Sequence, residues 1–232
     1  MKTKIFCDSA DFNTIKMFNK NSIVDGFTTN PSLMRLAGAK NYKNYSLKIL
    51  KSCKKKSISF EVFADNPEEM LKQAYKINQW GKNVYVKIPV VNSKGIFMGP
   101  VIKRLSKDKI KLNITAVYSL NQTKKILNCL NKDTKSIISI FAGRMSDKGI
   151  DPLPILKKSI LLCKKFKNIN ILWASTREAY NYLQAKQIGC HIITMPPAII
   201  YKISSFGKSV KLMTIDTVKG FLSDSKKSKF KI

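Results

Sequence analysis

The chain has 232 residues, 44% of them hydrophobic and 25% charged, enough for one large core and too apolar for wholesale disorder. Forty-three Lys and Arg face 14 Asp and Glu, a net charge of +29, and a field of that sign concentrates phosphates of any kind. No apolar run approaches the ~18 residues needed to cross a bilayer, and five scattered cysteines with a single histidine, His191, exclude a zinc ribbon and a His-rich metal site.

The odd cysteine count argues against a disulfide framework. Asp8 and Asp11 interrupt the opening MKTKIFCDSAD where a signal peptide needs its apolar stretch, so a reducing cytoplasm is expected. Lysines run through the amphipathic stretches (Lys54, Lys55, Lys56; Lys124, Lys125; Lys157, Lys158; Lys164, Lys165) and into the C-terminal tail, without an arginine-rich arm or an RNP-like aromatic stretch. That dispersal favours a solvated surface over a polyanion-binding protein. Neither a specific nucleic acid nor a membrane is an expected partner.

In chain order, short β-branched runs alternate with longer stretches of helical period. The predicted strands are Lys4–Cys7, Ile23–Phe27, Ile58–Phe63, Val84–Ile88, Lys111–Ala116, Ser136–Phe141, Asn170–Ala174 and His191–Thr194. Asn66-Pro67-Glu68-Glu69 opens one helix with a capping Asn, Pro at the first position and acids in the first turn, and Met70, Ala74, Ile77 and Trp80 supply its apolar face. Leu153, Leu156, Ile160, Leu161 and Cys163 mark another, and a third begins at Thr176 and carries Ala179, Leu183 and Ala185. After the eighth strand Pro196-Pro197 is expected to open a helix running to about Phe206, followed by one over Val210–Leu222. Eight strand–helix repeats at this length predict an α/β chain forming a single (β/α)8 TIM barrel with an additional C-terminal helix. The domain is expected over residues 1–222, followed by a frayed Lys/Ser tail over 223–232.

A barrel places its chemistry where strands end. Those ends carry Asp8, Thr28-Thr29-Asn30, Glu61, Lys87, Asn113 with Thr115, Ser139 with Phe141 and Arg144, and Ser175 with Arg177. Lys87 lies in the otherwise apolar run Val84-Tyr85-Val86-Lys87-Ile88, where desolvation is expected to disfavour its ammonium and free the amine to attack carbonyls. A snorkelling strand-end lysine is the competing reading. Two carboxylates beside an amine suit Schiff-base aldol chemistry, one moving protons during dehydration and one deprotonating the hydroxyl whose C–C bond breaks. Arg144 and Arg177, on consecutive strand–loop junctions, could clamp a phosphate.

Across FCDSAD, DGFTTNPSL (Asp25–Leu33), SFEVFA, VKIP (Val86–Pro89), LNITAVYS (Leu112–Ser119), SIFAGRMSD, ILWASTR and IITMP, the chain resembles the short members of the transaldolase family, which include fructose-6-phosphate aldolases. The resemblance implies that Lys87 is the Schiff-base lysine, Asp8 the acid–base group for aldol cleavage, and Glu61 with Thr115 the pair holding a catalytic water. It assigns Asn30, Asn113 and Ser139 to the hydroxyls of a dihydroxyacetone unit, and Arg144, Ser175 and Arg177 to the phosphate. Thr29 and Phe141 join the substrate-binding set. Phe141 and Glu61 are the transaldolase choices where the aldolase branch has Tyr and Gln, so group transfer is expected ahead of release of free dihydroxyacetone. No metal or organic cofactor is implied. The partners implied are sugar phosphates and further copies of the chain, in a pentamer or decamer that the C-terminal helix helps to build. His191 and Trp173 are expected to pack rather than react.

Overall fold

Each of the eight predicted runs overlaps a strand in the computed structural model, which describes residues 2–230, although only Gly26 and Phe27 of the run Ile23–Phe27 are strand. The first half of the chain holds β1 (Lys4–Asp8), α1 (Phe12–Lys20), β2 (Gly26–Thr28), α2 (Pro31–Leu36), α3 (Tyr42–Ser52), β3 (Ser57–Glu61) and α4 (Pro67–Asn78). Then follow β4 (Val84–Pro89), α5 (Gly99–Lys107), β5 (Leu112–Val117), α6 (Leu120–Cys129), β6 (Ser136–Ile140), α7 (Ala142–Ser146) and α8 (Leu153–Cys163). The last part comprises β7 (Ile169–Trp173), α9 (Tyr180–Gln187), β8 (Ile192–Met195), α10 (Pro197–Ile203) and α11 (Val210–Ser228). The strands pair in chain order and β8 returns to pair in parallel with β1, closing the barrel.

Parallel strands covered by helices bury both faces, which is why these runs are β-branched rather than alternating with polar residues. Outward-facing Ile58, Phe60, Val86, Ile88, Ile114, Ile138 and Ile171 pack under the helices in one continuous cluster. Each such side chain stabilises the fold by ~1.5–3 kcal/mol through burial. A smaller cluster of Phe6, Ile137, Leu172, Ala174 and Ile192 fills the lumen. Gly26 makes room for it, since a Cβ there would lie 2.7 Å from the Phe6 ring. Above this plug the inward positions turn polar, and the site begins there.

The helix at Asn66 forms as its sequence dictates: Asn66 accepts from Glu69 N at 2.9 Å, and Met70, Ala74 and Ile77 are buried. Elsewhere the boundaries shift for identifiable reasons. Leu161 is 63% exposed because it sits one residue round from the buried Leu156–Ile160–Cys163 stripe of α8. α9 starts at Tyr180 rather than Thr176, because the Thr176 hydroxyl donates to Thr194 O (2.7 Å). Asn181 also folds back to accept from the backbone N–H groups of Arg177 and Glu178. α10 stops at Ile203, short of Phe206.

The stretch expected to fray from residue 223 instead continues α11 to Ser228; residues 231–232 lie outside the described part. Lys226 and Lys227 in its last turn oppose the partial negative charge of the helix C-terminus. No residue of α11 is buried, although Val210, Met213, Val218 and Phe221 are apolar. Among the described residues no helix is long and apolar enough to cross a membrane.

Candidate active site

The C-terminal ends of the strands surround a cavity of about 210 Å3. Asp8, Asn30, Lys87, Asn113, Thr115, Ser139, Phe141, Arg144, Ser175 and Arg177 line it. Strand register produces this convergence. Glu61 on β3 is the pairing partner of Lys87 on β4, and Lys87 in turn pairs with Asn113 on β5, so three functional side chains sit abreast.

Lys87 is only 7% exposed. Its Nζ lies 3.1 Å from Glu61 Oε2 and donates to Thr29 O at 3.2 Å. Glu61 stands beside the amine as its ion-pair partner and is not itself on the cavity lining. The Thr29 side chain also stays off the lining: its hydroxyl donates to Ser59 O (2.7 Å), and the residue meets the amine through its carbonyl. Asp8 enters from β1 and accepts from Thr28 Oγ1 at 2.7 Å, while Thr28 Oγ1 meets Thr194 Oγ1 at 2.5 Å. Burial pushes the Asp8 carboxyl above its ordinary range, and the Lys87 charge and the Thr28 bond pull the other way. A carboxyl raised in this way is suited to taking and returning a proton.

The polar wall is a relay. Ser139 Oγ donates to Asn113 Oδ1 (2.7 Å), and Asn113 Nδ2 donates to Ser59 Oγ (3.0 Å). Thr115 Oγ1 is buried and has no hydrogen-bond partner among the described residues. A hydroxyl left so costs about 1–3 kcal/mol, which marks a position built to meet a polar group of a ligand or a water. Asn30 uses its side-chain oxygen to cap α2, accepting from Leu33 N at 2.8 Å, which leaves the amide N–H pair as the group it can offer the cavity.

The far side carries the arginines. Arg144 lies 5.0 Å over the Phe141 ring. Arg177 makes a forked pair with Asp147, its Nε 3.0 Å from Oδ1, and the guanidinium holds the Asp147 carboxyl below its usual range. Ser175 takes the left-handed conformation, φ 63°. Its carbonyl runs so close to α7 that a Cβ on Gly143 would fall 1.6 Å from it, so only glycine fits in the GR dipeptide. Ala116 is also left-handed (φ 60°), where the β5–β6 register shifts between Ile114 and Val117. Such residues cost ~1–3 kcal/mol and cluster at functional sites.

Sequence reasoning missed Tyr42, from α3. Its hydroxyl donates to Glu61 O (3.2 Å) and accepts from Glu61 N (3.0 Å), pinning the residue whose carboxylate pairs with Lys87. Burial pushes the Tyr42 phenol well up, so it remains a donor. Its ring packs on Phe63 at 4.5 Å and Trp80 at 5.8 Å. Tyr42→Phe keeps that packing and removes both hydrogen bonds. The expected result is a fall in kcat of about tenfold, the worth of one to two ordinary hydrogen bonds, with KM little changed and a displaced pH–rate profile. An unaltered kcat and pH profile in a variant of lowered Tm would reduce Tyr42 to a packing residue. Thr194, on the lumen side of β8, was also missed, although it stands two residues from the inward Ile192. His191 and Trp173 pack as expected: His191 Nδ1 accepts from Ile171 N (3.1 Å), and Trp173 is buried.

A closed parallel barrel gathers an amine, two carboxylates and a polar relay at its strand C-termini, the end at which barrel enzymes carry their chemistry. The chain belongs to the transaldolase/fructose-6-phosphate aldolase family, whose model matches residues 5–232. Among relatives, a "Probable transaldolase" of Dehalococcoides mccartyi is 33% identical over 201 residues, covering 86% of this chain and 89% of the relative. A "Probable transaldolase" of Methanococcus maripaludis is 32% identical over 222 residues, covering 95% and 96%. Among solved structures, 3-hexulose-6-phosphate synthase from Salmonella typhimurium superposes with a TM-score of 0.59 at 12% identity, over 87% of this chain and 91% of that one. KGPDC from Streptococcus mutans also gives 0.59, at 10% identity, over 86% and 90%. These two share the fold. The family match and the relatives' names indicate a transaldolase-type enzyme.

Proposed function

We propose that the chain transfers a dihydroxyacetone unit from ketose phosphates (fructose 6-phosphate, sedoheptulose 7-phosphate) to aldose phosphates (erythrose 4-phosphate, glyceraldehyde 3-phosphate), the transaldolase step of the pentose phosphate pathway. The observation that carries this reading is the buried Lys87–Glu61 pair at 3.1 Å, in a barrel mouth that also holds Asp8. Glu61 takes a proton from the ammonium, and the amine adds to the ketone. A water held between Glu61 and the unpartnered Thr115 hydroxyl assists loss of water to the imine. Asp8 removes the proton of the C4 hydroxyl, the C3–C4 bond breaks, and the protonated imine accepts the electron pair. The first aldose phosphate leaves, the enamine stays on Lys87, and a second aldehyde phosphate reverses the steps. Asn30, Asn113 and Ser139 hold the dihydroxyacetone hydroxyls; Arg144, Ser175 and Arg177 hold the phosphate.

Phe141 supports transfer over simple cleavage, since its ring lines the cavity and offers no proton to the enamine. A coupled assay with fructose 6-phosphate tests this: glyceraldehyde 3-phosphate should accumulate only stoichiometrically until erythrose 4-phosphate is added. Steady release of free dihydroxyacetone without acceptor would make the enzyme an aldolase. Phe141→Tyr is expected to raise that release by about 100-fold, the low end of what a positioned general acid contributes. We also propose that the exposed apolar residues of α11 dock on a second copy within a pentamer or decamer. Light scattering should therefore give the mass of several chains, and a monomer would overturn this. The five free cysteines fit work in a reducing cytoplasm.

A further inference from the structure

At the end of the barrel opposite the catalytic mouth lies a second cleft, of about 340 Å3, lined by Lys54, Lys55, Lys82, Lys111 and Lys135. The topology gathers them. Lys54 and Lys55 precede β3, Lys82 precedes β4, Lys111 immediately precedes β5, and Lys135 immediately precedes β6. Four consecutive helix-to-strand connections thus bring their cations to one place at the base.

These lysines differ from the dispersed surface ones. Lys111 and Lys135 stand two residues before Asn113 and Ile137, both inward-facing, so they belong to the lumen's lower rim. Lys111 is half-buried, its Nζ donates to Lys82 O, and it lies 5.6 Å from the centroid of the Tyr85 ring. One cation is therefore anchored among four others instead of swinging away from them. Burial and the neighbouring Lys135 charge both push the Lys111 amine down, the mark of a positive charge without a counter-charge. Among the described residues no carboxylate lines the cleft, and none pairs with any of the five lysines. Ser57 and Tyr85 add hydroxyls to the wall.

We propose that this cleft is a second anion site, for a compact molecule carrying two or more linked phosphates, separate from the sugar-phosphate cavity. Five lysines lining one cleft carry more positive charge than one phosphate can neutralise. A concave space of this size on the barrel base suits a short phosphate chain, free or borne by a nucleotide, better than a nucleic-acid backbone, which needs an extended groove with stacking platforms.

Calorimetry of the full chain at physiological salt tests it, with tripolyphosphate, inorganic phosphate and ATP as probes. Tripolyphosphate is expected to bind at least ~10-fold more tightly than inorganic phosphate, one lost charge-assisted contact being worth about that factor. Lys111→Gln/Lys135→Gln should weaken it at least ~10-fold with kcat unchanged, whereas Lys164→Gln/Lys165→Gln just after α8 should not. Lys54→Gln/Lys55→Gln, both exposed, provides a second cleft variant that leaves the strands untouched. ATP binding as tightly as tripolyphosphate would identify the nucleotide-borne form, and ATP binding weakly the free one; either supports the site. Equal weakening in cleft and control variants would make the binding a property of the overall field and overturn the proposal. So would displacement of tripolyphosphate by fructose 6-phosphate, or random RNA binding more tightly than tripolyphosphate through the same lysines.

Discussion

Lys87→Met is expected to abolish dihydroxyacetone transfer, with a loss of at least ~10⁴-fold in kcat, the scale on which removal of a covalent nucleophile is read. Methionine is close to lysine in length and needs no counter-charge, so the strand and lumen packing survive and the loss reports chemistry rather than folding. Among the described residues no other lysine lines the cavity, so none of the many others can substitute for it. Borohydride added with fructose 6-phosphate should leave a three-carbon adduct on the wild-type chain, mapped to the peptide carrying Lys87, and none on the variant. An adduct on another lysine, or retained activity in Lys87→Met, would remove Lys87 as the Schiff-base lysine and leave the family assignment standing. The cleft at the barrel base is unaffected by either outcome, because none of its lysines takes part in the reaction.

The distinction between these two groups of lysines marks what is legible in the sequence. Lys87 can be singled out because its neighbours in VYVKIP are all strand residues of a buried run, and period-two alternation then aligns it with Tyr85 below and Pro89 above. The same alternation pairs Asn113 with Thr115 and Ser139 with Phe141, so the polar wall follows once the strands are placed. Long-range contacts are not legible. Tyr42 reaches Glu61 from a helix 19 positions earlier in the chain, and no local pattern announces a hydroxyl that clamps a distant backbone. The forked Arg177–Asp147 pair lies across 30 positions and joins two loops whose mutual approach depends on Gly143 meeting the Ser175 carbonyl. α11 shows the converse. Its residues read as helix, but its apolar pattern ends at Leu222 while the helix runs on to Ser228, and a chain alone cannot say what covers a helix that buries nothing. The lysines at the barrel base look, in sequence, like part of a dispersed surface. Only the closed topology, which brings four connections together, separates them from it.

Asp8→Asn is expected to be a stabilising substitution that destroys activity. The folded chain holds the Asp8 carboxyl above its ordinary value of 3.8, chiefly through burial. Between that value and the raised one, the folded state keeps a proton that the unfolded state gives up. Stability contributed by this group is therefore full at low pH and is lost as pH rises through the raised pKa. Above the raised pKa the wild type carries the whole penalty. Asparagine keeps an oxygen to accept from Thr28 Oγ1, now 2.7 Å from Asp8 Oδ1, and carries no charge to desolvate. The expected gain at neutral pH is about 0.5–2 kcal/mol, the usual yield of a single stabilising change. The gap to wild type should narrow as pH falls through the raised pKa toward the ordinary value of 3.8, because the folded Asp8 is then protonated and the two side chains become alike in charge. Over the same series C–C cleavage should fall by about 10²–10⁴-fold, the contribution of a positioned general base, while imine formation on Lys87 persists and is still trapped by borohydride. A variant less stable than wild type at neutral pH would mean that the ionised Asp8 stabilises the fold through the Lys87 charge more than burial opposes it. An Asp8→Asn enzyme that cleaves fructose 6-phosphate at the wild-type rate would move the base elsewhere in the cavity. Coupled urea and activity measurements across the pH range separate these outcomes, because the stability and the rate respond to the same proton in opposite senses.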